Sequence, residues 1–213
     1  MLTLRSEPYS SASRKALYSF LGKLDIFIIP NFLSDKECSW LRCQMDEAEK
    51  KAPYHSIHKN LQHHCVSPEA DSRVRGRFAE ILPRIERHFG TSLAFEGAME
   101  YSTYSRGGFL ALHSDALRSE MCPYMGRRIA ACTVYLSTEG PGRSSGCHQG
   151  GSLALHDLNF RKGTGERSNY SVTLPARAGL LIAFNVKLRH EVRPVLSGTR
   201  YSIVTRFIAA QDQ

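Results

Sequence analysis

The residues of this sequence best suited to chemistry are a histidine and an aspartate two positions apart, His113 and Asp115, which follow the pair Gly107–Gly108. If they lie on a strand, their side chains point to the same face, because successive residues alternate between faces. His190, 75 residues beyond Asp115, can supply a third ligand from another strand. Two imidazoles and one carboxylate on one side of a metal ion leave its other positions open, which is typical of non-haem Fe(II) centres. The sequence therefore predicts such a centre.

Arg200, ten residues beyond His190, is the second candidate for chemistry. The residues that follow it have the apolar and β-branched pattern of a strand. A guanidinium inside a barrel is costly to bury without an anion, and its planar fork fits a carboxylate in a bidentate manner. A dicarboxylate co-substrate meets this need: one end chelates the metal and the other end binds Arg200.

The elements that must position these residues begin with a mostly helical segment over about 34–90. Ser34 and Glu37 form the pattern of a capping box, and apolar residues at helical spacing extend the helix to about residue 51. A second apolar stripe predicts a helix over 71–88, with a kink or an early break at Pro83.

Beyond residue 90 the pattern changes to short runs of β-branched and aromatic residues between turns rich in glycine and proline. Many short strands of this kind are typical of a sandwich or jelly roll. The predicted fold class is α+β: a loosely attached lead-in over 1–24, then one domain over 25–213 whose jelly-roll core, about 91–210, is buttressed by the N-terminal helices. Strands are expected at 92–96, 98–105, 109–113, 128–137, 151–157, 170–174, 178–184, 188–194 and 200–208.

The segment 52–70 contains four histidines and Cys65. Such a cluster has the ligand types for zinc, but its spacing fits no closed structural site and it lacks a second cysteine pair. A solvated loop is the favoured interpretation.

Composition limits the class of protein. The chain has 213 residues, 42% of them hydrophobic, enough for one domain with a substantial core. It has no apolar run that suits a membrane helix and no apolar stretch of a secretory signal at its start, so a soluble, cytoplasmic protein is expected. The six cysteines have no C-x-x-C spacing and are expected to be reduced and mostly buried. The net charge of +8 comes from scattered basic residues without an aromatic platform, which favours anionic small substrates over nucleic acid.

Several motifs together resemble the Fe(II)- and 2-oxoglutarate-dependent dioxygenases, specifically the prolyl 4-hydroxylase-like branch. The motifs are Tyr104–Asp115, Cys132–Leu136, Gly150–Leu153, Pro175–Phe184 and His190–Ser202, within a similarity that runs from about Asp25 to Phe207. The resemblance implies a double-stranded β-helix (jelly-roll) core. It also implies Fe(II) as cofactor, 2-oxoglutarate and O₂ as co-substrates, and ascorbate as a candidate reductant.

The resemblance also implies roles for single residues. The residues that match its metal ligands are His113, Asp115 and His190. Arg200 matches the basic residue that binds the far carboxylate of 2-oxoglutarate, and Tyr104 and Tyr135 match tyrosines that hydrogen-bond the co-substrate. Ser202 is expected to add a hydroxyl to the same carboxylate. Plain strand packing is the alternative for Tyr135 and Ser202.

The reaction implied by the resemblance is hydroxylation of an unactivated C–H bond, with 2-oxoglutarate and O₂ giving succinate and CO₂. Asp115 favours oxygenation over halogenation, because related halogenases lack this carboxylate. The expected substrate is a small molecule such as an amino acid or a natural-product intermediate; the alternative is a prolyl or other residue of a protein. An AlkB-like nucleic-acid demethylase is less favoured, since such enzymes usually place the first arginine further beyond the distal histidine. A non-catalytic scaffold is less favoured because the ligand set is intact.

Two further arginines are candidates for substrate binding. Arg206 lies six residues beyond Arg200 and therefore on the same face of the predicted strand. Arg118 follows the metal motif closely. Solvated surface charge is the alternative for both. The sequence indicates neither the oligomeric state nor the identity of the substrate.

Overall fold

The computed structural model describes residues 2–3, 11–51, 57–116, 127–141, 146–158 and 170–210. These residues contain three helices: α1 Ser11–Gly22, α2 Asp35–Glu47 and α3 Pro68–Phe89. The capping box at the start of α2 is confirmed: Ser34 Oγ accepts from the Glu37 backbone N–H, and the Glu37 carboxylate accepts from the Ser34 N–H at 2.7 Å. These bonds satisfy donors that a helix leaves free at its N-terminus.

The second predicted helix is longer than expected. It begins after Ser67, whose side chain accepts from the Ala70 N–H, and it ends at Gly90 in the left-handed conformation with φ 71°. Pro83 lies inside the helix and does not end it, so the expected early break is wrong. The buried side chains of α3, such as Phe78 and Ile85, pack it against the sheet. The free energy gained by this packing exceeds the free-energy cost of placing a proline inside a helix.

Fifteen strands are assigned in the described part of the chain, and most of them pair antiparallel in one curled sheet. This arrangement confirms the predicted jelly roll. The large sheet has the order β1-β11-β10-β13-β6-β15-β7-β12-β2, with β3, β4 and β5 joined to it; β14, β9 and β8 form a small second sheet. The strands are β1 Leu2–Thr3, β2 Ile26–Ile29, β3 Glu49–Lys51, β4 His58–Cys65, β5 Leu93–Phe95, β6 Glu100–His113, β7 Arg128–Tyr135, β8 Thr138–Glu139, β9 Cys147–Gly150, β10 Leu153–Leu155, β11 Val172–Leu174, β12 Leu181–Asn185, β13 His190–Val192, β14 Val195–Gly198 and β15 Arg200–Ala209.

Strand β6 joins two strands that were predicted separately. Its first part pairs with β15, where Tyr104 lies opposite Arg200, and its last part pairs with β13, where His113 lies opposite His190. Gly107, with φ 77°, lies between the two parts. A Cβ at Gly108 would lie 2.7 Å from the Ser105 carbonyl oxygen. Glycine therefore lets one strand change course without ending.

The expected loop at 52–70 is wrong for most of its length. Residues 58–65 form β4, which pairs with β3 and with β6, and α3 begins at Pro68. His64 is buried there; its Nδ1 lies 2.6 Å from the Met45 carbonyl oxygen and its Nε2 lies 2.8 Å from Thr103 Oγ1. Pairing with β6 and these two contacts stabilise a strand whose own sequence is polar.

Two apolar clusters hold the layers together. One lies between the helices α2 and α3 and the sheet, and it contains the rings of Phe32, Phe78 and Phe207. The other contains Leu21 and Leu24, so the end of the expected lead-in packs on the body of the protein. Of the five described cysteines, Cys38 and Cys132 are buried, Cys43 and Cys65 are exposed and Cys147 is half-buried, so the expected burial of most cysteines is wrong for the described residues.

Candidate metal and co-substrate site

The three predicted metal ligands lie together at one end of β6 and β13. His113 ends β6, Asp115 follows two residues later, and His190 begins β13. One ligand atom from each of them lies within 4.8 Å of the others. The two imidazole centroids are 4.1 Å apart, and His113 Nε2 lies 3.6 Å from Asp115 Oδ1. This spacing leaves room for one ion among the three side chains.

Both imidazoles are oriented by backbone carbonyl groups. His113 Nδ1 lies 2.9 Å from the Ala111 carbonyl oxygen, and His190 Nδ1 lies 3.2 Å from that of Leu188. If each Nδ1 donates its proton to the carbonyl, each Nε2 keeps a lone pair for a metal ion. Burial lowers the pKa of His190 to about 4, and this effect outweighs the nearby Asp115 carboxylate, which acts in the opposite direction. His190 is therefore neutral at pH 7, the form that binds metals.

Arg206 orients the carboxylate. Its Nε donates to Asp115 Oδ2 at 3.0 Å, and its Nη1 donates to Glu100 Oε1 at 2.7 Å. Burial alone would raise the pKa of Asp115, but the neighbouring His113 and the Arg206 charge together hold that pKa well below its usual range. Asp115 is therefore ionised, with one oxygen on Arg206 and the other turned toward His113.

Arg200 is 1% exposed. Its Nε donates to the Gly151 carbonyl oxygen at 3.0 Å and its Nη1 donates to Ser202 Oγ at 2.8 Å. The guanidinium carbon lies 5.3 Å from the ring centre of Tyr104 and 5.1 Å from that of Tyr135. In the described part of the chain no carboxylate forms an ion pair with Arg200. A cation this deeply buried requires an anion from elsewhere.

A cavity of about 330 Å³ connects the metal-ligand cluster to Arg200. Tyr104 lines it, and burial raises the pKa of this tyrosine to about 12, which keeps its hydroxyl protonated. Tyr135 and Ser202 contact Arg200 from the side and are not among the residues that line the cavity. The volume lies at the low end for pockets that hold small ligands.

The structure therefore brings most of the predicted site residues together. Arg206 lines the cavity and is bonded to two carboxylates, and its role toward a substrate stays a prediction. Arg118 lies outside the described residues.

Sequence reasoning missed one wall of the cavity, which β4 supplies through His58, Leu61 and His63. His63 Nδ1 lies 3.0 Å from Ser102 Oγ on β6. The signal that was available was the density of histidines over 58–64, which was interpreted as a solvated loop. Arg128, which flanks the loop after Asp115, also lines the cavity and donates to the backbone carbonyl of Asp115 at 3.2 Å.

The donor set fits a non-haem ferrous ion and a keto-diacid. Two imidazole nitrogens and one ionised carboxylate oxygen form one side of a coordination sphere, and the set is typical of Fe(II) oxygenases. At the other end, Arg200 has N–H groups left for a carboxylate. A jelly roll with these two features defines a non-haem iron oxygenase.

A family described as the 2OG-Fe(II) oxygenase superfamily matches residues 99–208, more than half of the chain. The chain belongs to this superfamily, and it is a dioxygenase that uses Fe(II) and 2-oxoglutarate. No curated protein matches it. None of the helices in the described residues is long and apolar enough to cross a membrane.

Solved structures of similar fold include prolyl hydroxylases and HygX. A prolyl-4-hydroxylase from Pseudomonas putida is 20% identical, with a TM-score of 0.67 over 92% of this chain and 98% of that one. HygX from Streptomyces hygroscopicus, with nickel and 2-oxoglutarate bound, is 17% identical, with a TM-score of 0.64 over 92% and 87% of the two chains. A Trichoplax adhaerens prolyl hydroxylase, in complex with a hypoxia inducible factor fragment, is 13% identical, with a TM-score of 0.63 over 96% of each chain. At these identities the likeness concerns the fold.

Proposed function

We propose that this protein hydroxylates an unactivated C–H bond of a small molecule, such as an amino acid or a natural-product intermediate. The reaction consumes 2-oxoglutarate and O₂ and gives succinate, CO₂ and the alcohol. In this proposal His113, Asp115 and His190 hold Fe(II). The observation that carries it is the pairing of this cluster with Arg200, a buried cation that forms no ion pair within the described residues and lies at the other end of the same cavity.

Arg200 is proposed to bind the far carboxylate of 2-oxoglutarate, so that the keto-acid end reaches the metal. Ser202 holds the guanidinium in place through the bond to Nη1. Tyr104 lines the cavity and is proposed to donate to the co-substrate, while Tyr135 packs on Arg200. The site thereby selects a co-substrate by its length and by the negative charge at its far end.

The residues of the chain position the reactants and exclude water, while bound Fe(II) supplies the activation of O₂ that no side chain provides. Arg206 keeps Asp115 ionised and fixes which of its oxygens faces the metal position. Phe184 packs on the His190 ring with centroids 4.8 Å apart and covers that side of the cluster. Leu153 and Val192 add apolar walls to the cavity. A dry, fixed site of this kind directs oxidation to the bound substrate.

The limited cavity volume favours a small substrate, because the co-substrate itself fills part of the 330 Å³. One solved structure of similar fold is HygX with hygromycin B bound, an enzyme that accommodates a small molecule on this scaffold. The other candidate substrate is a prolyl or other residue of a protein. The observation that favours it is the similarity in fold to the prolyl hydroxylases from Pseudomonas putida and Trichoplax adhaerens.

Succinate release from 2-oxoglutarate with Fe(II) and ascorbate tests the chemistry. The wild-type protein and a His156→Ala variant are expected to release it, since His156 pairs with Glu191 away from the cavity. A His113→Ala variant is expected to lose the release. Equal signals from the two variants would support a non-catalytic role.

Mass spectrometry then tests the substrate class. Amino acids, small-molecule extracts and proline-containing peptides are incubated separately, and products heavier by one oxygen atom are sought. A product among small molecules alone supports the proposal, whereas a product among peptides alone supports the alternative.

A further inference from the structure

Glu100 is a carboxylate of the cavity that neither the metal-ligand cluster nor the co-substrate position uses. It lies on β6, on the same face of the strand as Ser102 and Tyr104, and all three line the cavity. Among the described residues that line the cavity, only Glu100 and the metal ligand Asp115 are acidic. Since Asp115 is committed to the metal, Glu100 is the carboxylate left for a substrate.

The bonds of Arg206 fix the position of Glu100 relative to the metal-ligand cluster. Arg206 Nη1 donates to Glu100 Oε1 at 2.7 Å, and Arg206 Nε donates to Asp115 Oδ2 at 3.0 Å. One planar guanidinium therefore separates the two carboxylates. A group bound at Glu100 lies close to the metal ligands, so only a few covalent bonds separate that group from a carbon at the metal position.

The second carboxylate oxygen of Glu100 is available to a ligand. The Glu100 side chain is 42% exposed, and within the described residues its only hydrogen bond is the one that Oε1 accepts from Arg206. A substrate that covers Oε2 displaces the water around it. This displacement is costly unless the substrate supplies a donor in place of the water.

The surroundings of Glu100 favour a charged donor. His63, opposite Ser102 on β4, also lines the cavity. Burial lowers the pKa of His63 although Glu100 acts in the opposite direction, so this imidazole is neutral at pH 7. In the described part of the chain Arg206 is the one cation paired with Glu100, and it shares its N–H groups with Asp115. An ammonium group is the strongest donor for Oε2, because both partners of the hydrogen bond are then charged.

We propose that Glu100 Oε2 accepts from an ammonium group of the substrate, so that this protein oxidises a small amine or amino acid within a few bonds of its nitrogen. The inference rests on the function proposed above and names the substrate class of that site. It replaces the anionic substrate that the net charge of +8 favours, because distant surface charges are screened by salt and the nearby charge of Glu100 is not. Leu61 and Leu110 supply apolar walls for the alkyl part of such a substrate.

Probe binding to the full chain, loaded with Mn(II) and 2-oxoglutarate, tests the proposal. The probes are butylammonium, 1-butanol and butyrate, which share a linear alkyl chain and differ in the charge of the end group. Their dissociation constants are measured from the relaxation that Mn(II) causes in the NMR signals of the probe protons. The Zn(II)-loaded protein provides the diamagnetic reference, so the signal counts only a probe that lies near the metal.

The wild-type protein is expected to bind butylammonium about five-fold more tightly than either other probe, an effect between that of an exposed ion pair and that of a buried hydrogen bond to a charged group. Glu100→Gln removes the negative charge and is expected to lose this preference. Glu96→Gln is the matched control, because Glu96 also pairs with an arginine of the cavity, Arg128, but does not itself line the cavity. This control is expected to keep the preference. A wild-type protein that binds the three probes alike, or a Glu100→Gln variant that keeps the preference, overturns the inference.

Binding of the metal and the co-substrate separates a contact with the substrate from a structural role of Glu100. The Glu100→Gln variant is expected to bind Mn(II) and 2-oxoglutarate within about three-fold of the wild type in calorimetry, because the glutamine Oε1 still accepts from Arg206. Equal weakening of 2-oxoglutarate and all three probes would show that Glu100 only holds Arg206, and the inference would fail.

Succinate release separates the inference from the function on which it rests. A wild-type protein that releases succinate from 2-oxoglutarate but shows no preference for butylammonium refutes the inference alone. A wild-type protein that releases no succinate refutes the proposed function and, with it, the inference.

Discussion

Replacing Arg206 by methionine is expected to destabilise the metal-free protein by about 3 kcal/mol. The substitution keeps an apolar stem but leaves Asp115, whose side chain is 7% exposed, as a buried charge without its partner. At 3.0 Å, Coulomb's law with an effective dielectric constant of about 20 gives about 5 kcal/mol for such a pair, and loss of one partner of a buried pair costs about 3–5 kcal/mol. We expect the low end of this range, about 3 kcal/mol, because the Arg206 side chain is 21% exposed and water screens part of its interaction with Asp115.

Urea unfolding at pH 7 with a chelator, followed by the fluorescence of Trp40, measures this loss; the chain has no other tryptophan. A double-mutant cycle with Asp115→Asn is expected to give a coupling energy of about 2 kcal/mol. Arg193→Met is the control, because Arg193 forms a partly exposed pair with Glu191 at 3.9 Å, and its loss is expected to cost less than about 1 kcal/mol. A loss below about 1 kcal/mol for Arg206→Met, or no coupling, would refute the role given to Arg206.

Three more predictions test the metal centre, the glycine beside the co-substrate position and the pH dependence of stability. His190→Ala is expected to weaken Ni(II) binding more than about 100-fold in equilibrium dialysis, since one of three ligands is lost, while His156→Ala binds like the wild type; equal affinities would contradict the assigned ligand set. Gly151→Ala is expected to lose about 2 kcal/mol in thermal unfolding because φ is 76° there, whereas Gly140→Ala, which has open space, changes stability by less than about 0.5 kcal/mol; similar values for the two would refute the strain argument. Burial lowers the pKa of His148 from 6.5 to about 4, so between these pH values the unfolded chain binds a proton that the folded chain does not, and stability falls as the pH falls. Between pH 7 and pH 4.5, His148→Gln is expected to lose about 2 kcal/mol less stability in urea than the wild type, and parallel pH profiles would show that His148 does not contribute.

The metal centre was the part of the site that the sequence predicted best. His113 and Asp115 are two positions apart, and His190 lies opposite His113 across a strand pair. A metal ion requires particular ligand types at particular spacings, so a candidate ligand set can be recognised in the amino-acid sequence. Arg200 could be predicted for the same reason, since a cation within a strand pattern needs an anion.

The partners of these residues could not be predicted. Arg206 was expected to face a substrate or solvent, and its bonds to Asp115 and Glu100 depend on three-dimensional placement of two strands. Strand β4 was missed because residues 58–65 are mostly polar, and the residues that pair with them lie some 40 positions later in the chain. Local pattern carries no information on such long-range pairing.

The wall formed by β4 has a consequence for how this protein could diverge. The strand lies before the segment 99–208 that matches the superfamily, yet it lines the cavity through His58, Leu61 and His63. The groups proposed to hold iron and the keto acid lie on later strands or, for Asp115, just after one. Exchanges on β4 can therefore alter which compound is oxidised while the oxidation itself stays intact, and a library restricted to those three positions is a direct way to search for altered selectivity.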